Sequence, residues 1–307
     1  MVVGCLYLES EKEELKILKI AIIGADGQLG SDLCKIIDKR EQIPLTISDI
    51  DITNIFVCDT VVKKIRPDII INTAAYHRVD DCEDNDLEAY KVNSHGVKNL
   101  ALACKGIKAL LVHISTDYVF DGDKGSPYIE DDIPNPKTAY GISKLAGEQF
   151  IRYLCDKYFI VRTSGLYGAA GCLGKGGGNF VENMIKRFRN GESLSIVDDE
   201  TITPTYTRNL AENINKLIRT EYYGLYHVTN NGECTWWEYA NKIFEILGVG
   251  VNIKKTNSKN YEAKAQRPKY SVLQNKRLKE IGLDCMPSWE KGLQEYLVEK
   301  GHVKNIK

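Results

Sequence analysis

Tyr140 and Lys144 stand four residues apart in the run Tyr140-Gly141-Ile142-Ser143-Lys144, at the start of a segment with helical periodicity. Residues i and i+4 share a helix face, so a phenol and an ammonium sit side by side there. A free tyrosine, with a pKa of about 10, is a poor proton donor and a worse base near neutrality, but an adjacent cation stabilises the phenolate and lowers that pKa. The pair is then a tunable acid and base. On an arbitrary surface helix the same spacing is a weak contact worth roughly 0.2–0.5 kcal/mol, so the remainder of the chain decides between the two.

The helix is read from Ile142, Leu145, Ala146, Phe150, Tyr153 and Leu154, which approximate one apolar stripe, with Pro134 and Pro136 keeping the preceding segment non-helical. Upstream, Ile69 to Ala75 is a strand too continuously apolar to have a solvated face, which places it centrally in a parallel sheet. Ala74 and Ala75 at its end let a flat cofactor lie against the backbone. Glu88 to Cys104 reads as a helix carrying Asn93 and Asn99. Ala109 to Ile114 is a second buried strand, ending in Ser115-Thr116-Asp117-Tyr118-Val119-Phe120-Asp121-Gly122. Ligands of open α/β sheets gather at the carboxyl ends of strands. A hydroxyl from Ser115 or Thr116 can hydrogen-bond a substrate carbonyl there, or simply cap a turn.

The first strand, Lys19 to Ile23, runs into Gly24-Ala25-Asp26-Gly27-Gln28-Leu29-Gly30 and then a helical pattern at Leu29, Leu33, Ile36 and Ile37. Glycines at 24, 27 and 30 allow a tight turn, bring backbone N–H groups to a pyrophosphate at the helix N-terminus, and let helix and strand pack closely. The GxxGxxG spacing differs from the GxGxxG of many dehydrogenases. A second strand over Pro44 to Ser48 leads to Asp49-Ile50-Asp51-Ile52-Thr53-Asn54. A carboxylate about 20 residues past the glycines is where a ribose 2′-hydroxyl is held. Asp49 therefore leans towards NADH, and no Lys or Arg lies between Glu41 and Val62 to favour NADPH. Asp49 or Asp51 can equally cap the next helix.

A chain of 307 residues, 43% hydrophobic and 27% charged, can bury a full core and is long for one compact unit. Its formal net charge of -1 offers no attraction to nucleic acid or an anionic membrane. The nine cysteines are scattered, odd in number and never spaced as CxxC, which predicts reduced thiols rather than disulfides or a zinc site. The five histidines form no ligand spacing. No apolar run reaches membrane-spanning length and no signal core follows the N-terminus, so the expected location is the cytoplasm.

Taken in order along the chain, these motifs resemble the extended short-chain dehydrogenase/reductases, in particular those that modify nucleotide sugars. Further matches are Val79-Asp80, Arg162-Thr163-Ser164, Asn179-Phe180, Thr203-Pro204-Thr205 and Arg267-Pro268. The resemblance runs from about Lys19 to near the C-terminus. It implies an α/β fold, a Rossmann-type doubly wound parallel sheet over 18–165. A mainly substrate-binding C-terminal lobe covers 166–307, with some segments returning to the first domain, and residues 1–17 are an extension. It also implies hydride transfer from NADPH or NADH to the C4 ketone of a dTDP-linked 4-keto-6-deoxyhexose. Tyr140 would protonate the nascent alkoxide, Lys144 would hold the cofactor ribose and depress the Tyr140 pKa, and Thr116 would bond the carbonyl oxygen.

Carried over residue by residue, the cofactor contacts are Gly24, Asp26, Gly27, Gln28, Leu29, Gly30, Asp49, Asp51, Ile52, Ala74, Ala75 and Asn93, with Tyr140 and Lys144. The substrate contacts are Val79, Asp80, Thr116, Asp117, Tyr118, Asn179, Thr205 and Arg267. Many relatives carry a Trp where Gly165 stands, which leaves the hexose less determined than the reaction. Some bind a divalent ion at a dimer interface through glutamates; the matching places here are Asp32, Arg208 and Glu290, so no metal site is expected and a homodimer stays open. The resemblance also reaches nucleotide-sugar epimerases, other 4-ketoreductases and the regulatory β subunit of methionine adenosyltransferase.

In the second half, glycines at 168, 171, 174, 176, 177 and 178 suggest a lid over the substrate, and lack the Lys-Ser/Thr ending of a P-loop. Trp236, Trp237 and Tyr239 begin a helix capped by Thr235 and are assigned to packing. In Gln266-Arg267-Pro268, proline fixes the backbone beside an Arg that can grip a diphosphate or form a surface salt bridge.

Overall fold

The computed structural model describes residues 17–171, 178–260 and 263–304. Uninterrupted apolar runs make its centre: β1 (Ile20–Ile23) and β3 (Ile69–Asn72) are buried at every position, as strands covered on both faces must be. They join β2 (Gln42–Leu45), β4 (Leu110–Thr116), β5 (Tyr158–Thr163) and a sixth strand, Gly224–His227, in one parallel sheet. The order is Gly224–His227, β5, β4, β3, β1, β2, the doubly wound arrangement expected. The chain leaves β1 for β2 on one side and returns to β3 on the other, so a crevice opens between the carboxyl ends of β1 and β3.

Alternation along the strands divides the core in two. Ile20, Ile22, Ile69, Ile71, Phe159 and Val161 meet Leu29 and Leu33 of the Gln28–Ile36 helix and Leu210, Ile214 and Leu217 of the Thr207–Leu217 helix. Ala21, Ile23, Ile70, Leu111 and Ile160 face the other way, onto the Ile55–Ile65, Val97–Ile107 and Ala139–Leu154 helices. A third core is aromatic: Tyr167, Tyr206, Tyr239, Trp289 and Tyr296 pack with Val181, Ile185 and Leu293. Between its segments in sequence, the Thr207–Leu217 helix and the Gly224–His227 strand return to the main sheet.

Several local expectations change. The second strand ends at Leu45, because Asp49 accepts the Thr46 N–H at 2.8 Å and its hydroxyl at 2.9 Å and closes a turn. Asn54, rather than Asp49 or Asp51, caps the Ile55–Ile65 helix. The helix expected over 88–104 is Asp86–Tyr90, a π-helical turn at Lys91–Gly96, and Val97–Ile107.

The Ala139–Leu154 helix begins as expected, with Thr138 accepting the Gly141 N–H at 3.0 Å. Its apolar stripe faces inward only in part: Leu145 and Leu154 pack on the cores. Ile142 and Tyr153 are exposed, while Gly141, Ser143, Lys144, Gly147, Glu148 and Ile151 are buried. Close approach is the reason. A Cβ at Gly147 would lie 2.3 Å from the Asn93 carbonyl and one at Gly141 2.2 Å from the Tyr118 carbonyl, so the helix sits hard against neighbouring backbone and carries its polar groups inward.

The glycine lid lies largely at 172–177, and the N-terminal extension at 1–16, both outside the described residues. The seven cysteines among the described residues are free thiols. No described helix is long and apolar enough to cross a membrane.

Candidate active site

The glycine turn after β1 is shaped by contact. Gly24 has φ +78°, and a Cβ there would meet Thr73 Oγ1 at 2.7 Å; a Cβ at Gly30 would lie 2.0 Å from the Gly24 carbonyl. Gly27 begins the Gln28–Ile36 helix without any side-chain cap, so the first N–H groups of that helix, with their partial positive charge, are left for an anion. Side-chain-free backbone at an uncapped helix start fits a pyrophosphate. Thr73 Oγ1, 2.8 Å from the Ile23 carbonyl, fastens the turn to the end of β3.

Here lies a cleft of about 840 Å³, lined by Gly24, Asp26, Gly27, Gln28, Leu29, Asp51, Ile52, Ala74 and Ala75, and also by Thr116, Asp117, Tyr118, Tyr140 and Lys144. Val79, Asp80, Asn179 and Arg267 complete the set of expected residues that reach it. Its size suits a dinucleotide with part of a second ligand.

Four expected ligands do not line it. Asp49 is exposed and spent on its own turn, whereas half-buried Asp51 lines the cleft and accepts from the Thr53 N–H at 2.9 Å. Asn93 is fully buried; its amide bonds both the N–H (2.9 Å) and the carbonyl (2.8 Å) of Tyr76 and reaches Ser143 Oγ at 3.0 Å. It ties the segment after β3 to the Tyr140 helix instead of touching a ligand. Thr205 is buried, its hydroxyl 3.3 Å from the Thr203 carbonyl. Gly30 acts from beneath, by letting the helix close on the turn.

Other expected residues reach the cleft already engaged. Gln28 Oε1 accepts the Gly168 N–H at 2.8 Å. Asn179 caps the Phe180–Arg189 helix, accepting the Glu182 N–H at 3.1 Å, and donates to Tyr296 Oη at 2.9 Å. Ser115 donates to Glu148 at 2.5 Å, so the Ser115 hydroxyl is structural, and Arg162 grips the same carboxylate at 2.9 and 2.7 Å. Arg267 Nη2 donates to Asp80 at 2.6 Å. Burial raises the Asp80 pKa, but the Arg267 bond and the Ala265 N–H outweigh it and hold the carboxyl below its ordinary value.

At the reacting end, Thr116 Oγ1 lies 3.0 Å from Asp117 Oδ1 and Ser164 donates to Oδ2 at 2.9 Å. Burial pushes the Asp117 carboxyl up against these bonds. The Tyr118 and Tyr140 rings meet edge to face, centroids 5.8 Å apart. Lys144 is 2% exposed, with Nζ 2.6 Å from the Ile114 carbonyl and 3.3 Å from His113 Nε2.

Burial lowers the Lys144 pKa to about 8, against the Glu148 charge, and raises that of Tyr140, against a hydrogen bond from Thr116. The expected depression of the phenol by Lys144 is not what this arrangement produces. Desolvation by burial is the largest cause acting on each group.

Trp236, Trp237 and Tyr239 pack with the third core as expected, and Trp236 and Tyr239 line the cleft as well. The Trp236 and Phe180 ring centroids are 4.8 Å apart, while Trp237 turns away and donates to the Ile253 carbonyl at 2.9 Å. Neighbours on a helix diverge by about 100°, so adjacent tryptophans cannot share one environment; that was the available signal. Of the places matched to a metal site, Asp32 is buried against Thr207 (2.6 Å) and Lys35 (2.8 Å), and Arg208 pairs with Glu212 at 3.5 Å. Among the described residues, no group of three or more His, Cys, Asp or Glu side chains is placed to hold a metal.

An open parallel sheet with a glycine-turn cradle at its switch point, and a Tyr/Lys pair in the same cleft, defines a nucleotide-dependent α/β protein. Residues 18–301 match the RmlD substrate binding domain, and the chain belongs to that family. It is 40% identical over 284 residues to the spore coat polysaccharide biosynthesis protein SpsK of Bacillus subtilis (strain 168), covering 92% of this chain and 98% of that one. A dTDP-4-dehydrorhamnose reductase of Streptomyces griseus is 37% identical over 283 residues, covering 89% and 91%. The crystal structure of dTDP-4-dehydrorhamnose reductase (rfbD) from Bacillus anthracis str. Ames in complex with NADP superposes with a TM-score of 0.88 at 44% identity, covering 92% of this chain and all of that one.

Proposed function

We propose that this protein reduces the C4 ketone of dTDP-4-dehydro-L-rhamnose to give dTDP-L-rhamnose, using NADPH or NADH. The observation that carries the reading is one cleft holding both the glycine-turn cradle and Tyr140, Lys144 and Thr116. The family match and the reductases among its relatives support the same reaction.

The nicotinamide cofactor, when bound, supplies the hydride for the carbonyl carbon. Gly24, Gly27 and the helix start beside them hold its pyrophosphate, and Asp51 presents a carboxylate where a ribose hydroxyl is bound. Tyr140 delivers its phenolic proton to the oxygen that becomes the C4 hydroxyl. Thr116 holds that oxygen once its hydroxyl turns from Asp117, and Lys144 compensates the charge left on Tyr140. Arg267, set by Asp80, faces the diphosphate of the nucleotide sugar.

A second reading, another nucleotide-linked 4-keto sugar, is favoured by Gly165, whose φ of +57° and whose Cβ position 3.1 Å from Pro204 Cα leave no room for a large side chain in this backbone. The test is oxidation of NADPH and of NADH on addition of dTDP-4-dehydro-L-rhamnose. Substrate-dependent oxidation supports the reductase; cofactor binding without oxidation shifts the substrate to another keto sugar or removes the catalytic reading.

A further inference from the structure

Behind the Tyr/Lys pair runs a buried chain of hydrogen-bonding groups that the reaction above leaves unused. Ala74 N–H donates to Asn72 Oδ1 at 3.1 Å, Asn72 Nδ2 faces His113 Nδ1 at 3.2 Å, and His113 Nε2 faces Lys144 Nζ at 3.3 Å. Asn72, His113 and Lys144 are each no more than 2% exposed, so a donor left unmatched among them is costly.

The direction of the chain is set at its start. The Ala74 N–H needs the Asn72 carbonyl oxygen, which turns the amide N–H towards His113 and makes Nδ1 an acceptor. A neutral imidazole that accepts at Nδ1 carries its proton on Nε2. That proton points at Lys144, whose nitrogen accepts it only through a lone pair. An ammonium in the same place sets donor against donor. Moving the imidazole proton to Nδ1 shifts the conflict onto the Asn72 amide, and rotating that amide shifts it onto the Ala74 N–H, where a buried donor again goes unmatched.

We infer that His113, oriented by Asn72, is a positioning residue that favours the neutral amine of Lys144 over the ammonium in the unliganded cleft, so that its charging is coupled to cofactor binding. The inference rests on the proposed reductase reading for its catalytic meaning, not for its geometry. The amine keeps one N–H on the Ile114 carbonyl at 2.6 Å.

The charged and titratable groups around Lys144 agree. Glu148 on its own helix favours the cation, but that carboxylate is already held by Arg162 from β5 and by Ser115. Tyr140 on the same helix and Asp117 at the end of β4 are both pushed by burial towards their neutral forms. His113 itself is kept from protonating by burial, and burial brings the Lys144 pKa down to about 8.

Two measurements test this. In calorimetric titration of the intact protein with NADH at pH 8, run in two buffers of different protonation enthalpy, a fraction of a proton is taken up on binding, and the uptake vanishes at pH 6 where Lys144 is already charged. No uptake at pH 8 overturns the inference, whether or not the protein turns over its substrate. In the pH profile of kcat/KM, activity falls above the Lys144 pKa; in His113→Gln, which presents an amide oxygen to the ammonium, that alkaline limb moves up by about one unit, a tenfold shift in the ionisation constant. A limb that stays in place while kcat or thermal stability drops leaves His113 as packing only. If neither cofactor is oxidised with the keto sugar, the reductase reading fails and the proton count still decides the charge of Lys144.

Discussion

Arg267 Nη2 meets Asp80 Oδ2 at 2.6 Å, joining the helix after β3 to a segment 187 positions later in the chain. Both residues line the cleft, so the ion pair presents the guanidinium in a fixed orientation with donors to spare. Replacing Arg267 by Ala is expected to raise the KM for the nucleotide sugar about 10- to 100-fold, from charge-assisted hydrogen bonds of about 1.5–3 kcal/mol. Cofactor affinity stays the same. An unchanged KM in steady-state kinetics reduces the pair to a clamp between segments.

Tyr140→Phe removes the proton donor and keeps the ring against Tyr118. Turnover is expected to fall about 100- to 10,000-fold, the usual range for loss of a general acid, with cofactor affinity by fluorescence titration close to wild type. A variant with wild-type kcat would mean that another group supplies the proton.

Gly30→Ala places a methyl group 2.0 Å from the Gly24 carbonyl, a contact no rotamer relieves. It is expected to lower Tm and abolish cofactor binding together, because helix and turn separate. Gly106→Ala, in the Val97–Ile107 helix with nothing within 4 Å of the added carbon, serves as the control and is expected to stabilise by up to about 1 kcal/mol. Equal Tm values for the two variants would contradict the steric account of the turn.

The buried Glu148–Arg162 pair, both side chains at most 1% exposed, leaves an uncompensated charge when one partner is cut. Glu148→Ala is expected to destabilise the fold by about 3–5 kcal/mol, read as a lower midpoint in urea. A change below about 1 kcal/mol would show that water reaches Arg162.

Stability should fall in mild acid. Burial, then the Arg162 charge, depress the His227 pKa from its ordinary 6.5 to about 3, and His113 is depressed in the same direction. The folded state therefore refuses protons that the unfolded chain accepts: the stability is present above the unfolded pKa near 6.5 and is lost as pH falls from there towards 3. At pH 5 the loss from His227 alone is about 2 kcal/mol. Urea midpoints at pH 7.5 and pH 5 measure it, and His227→Asn flattens the slope; an identical slope in that variant would rule His227 out.

Much of this was legible in the residues. The strands at Ile20–Ile23 and Ile69–Asn72 announced themselves because a sheet covered on both faces demands unbroken apolar runs, and the glycine turn because only residues without Cβ survive where helix and strand close on one another. Pro134 and Pro136 marked the start of the Tyr140 helix. These are local constraints, written in neighbouring positions.

Asn93, Asp49 and Thr205 were read otherwise because local pattern cannot say what lies opposite. Asn93 and Thr205 have the chemistry of ligands, and the packing around them gave their donors and acceptors to backbone. Asp49 stood at a plausible distance from the glycines but was captured by Thr46, three residues away. The inward face of the Tyr140 helix carried Lys144 and Glu148 as well as part of its apolar stripe, because Gly141 and Gly147 drew it against foreign backbone. The chain by itself determined which groups could do chemistry and which segments would be strands and helices. Tertiary structure decided their protonation and their partners, since burial and hydrogen bonding are set by residues far away in sequence, as His113 and Asn72 are for Lys144.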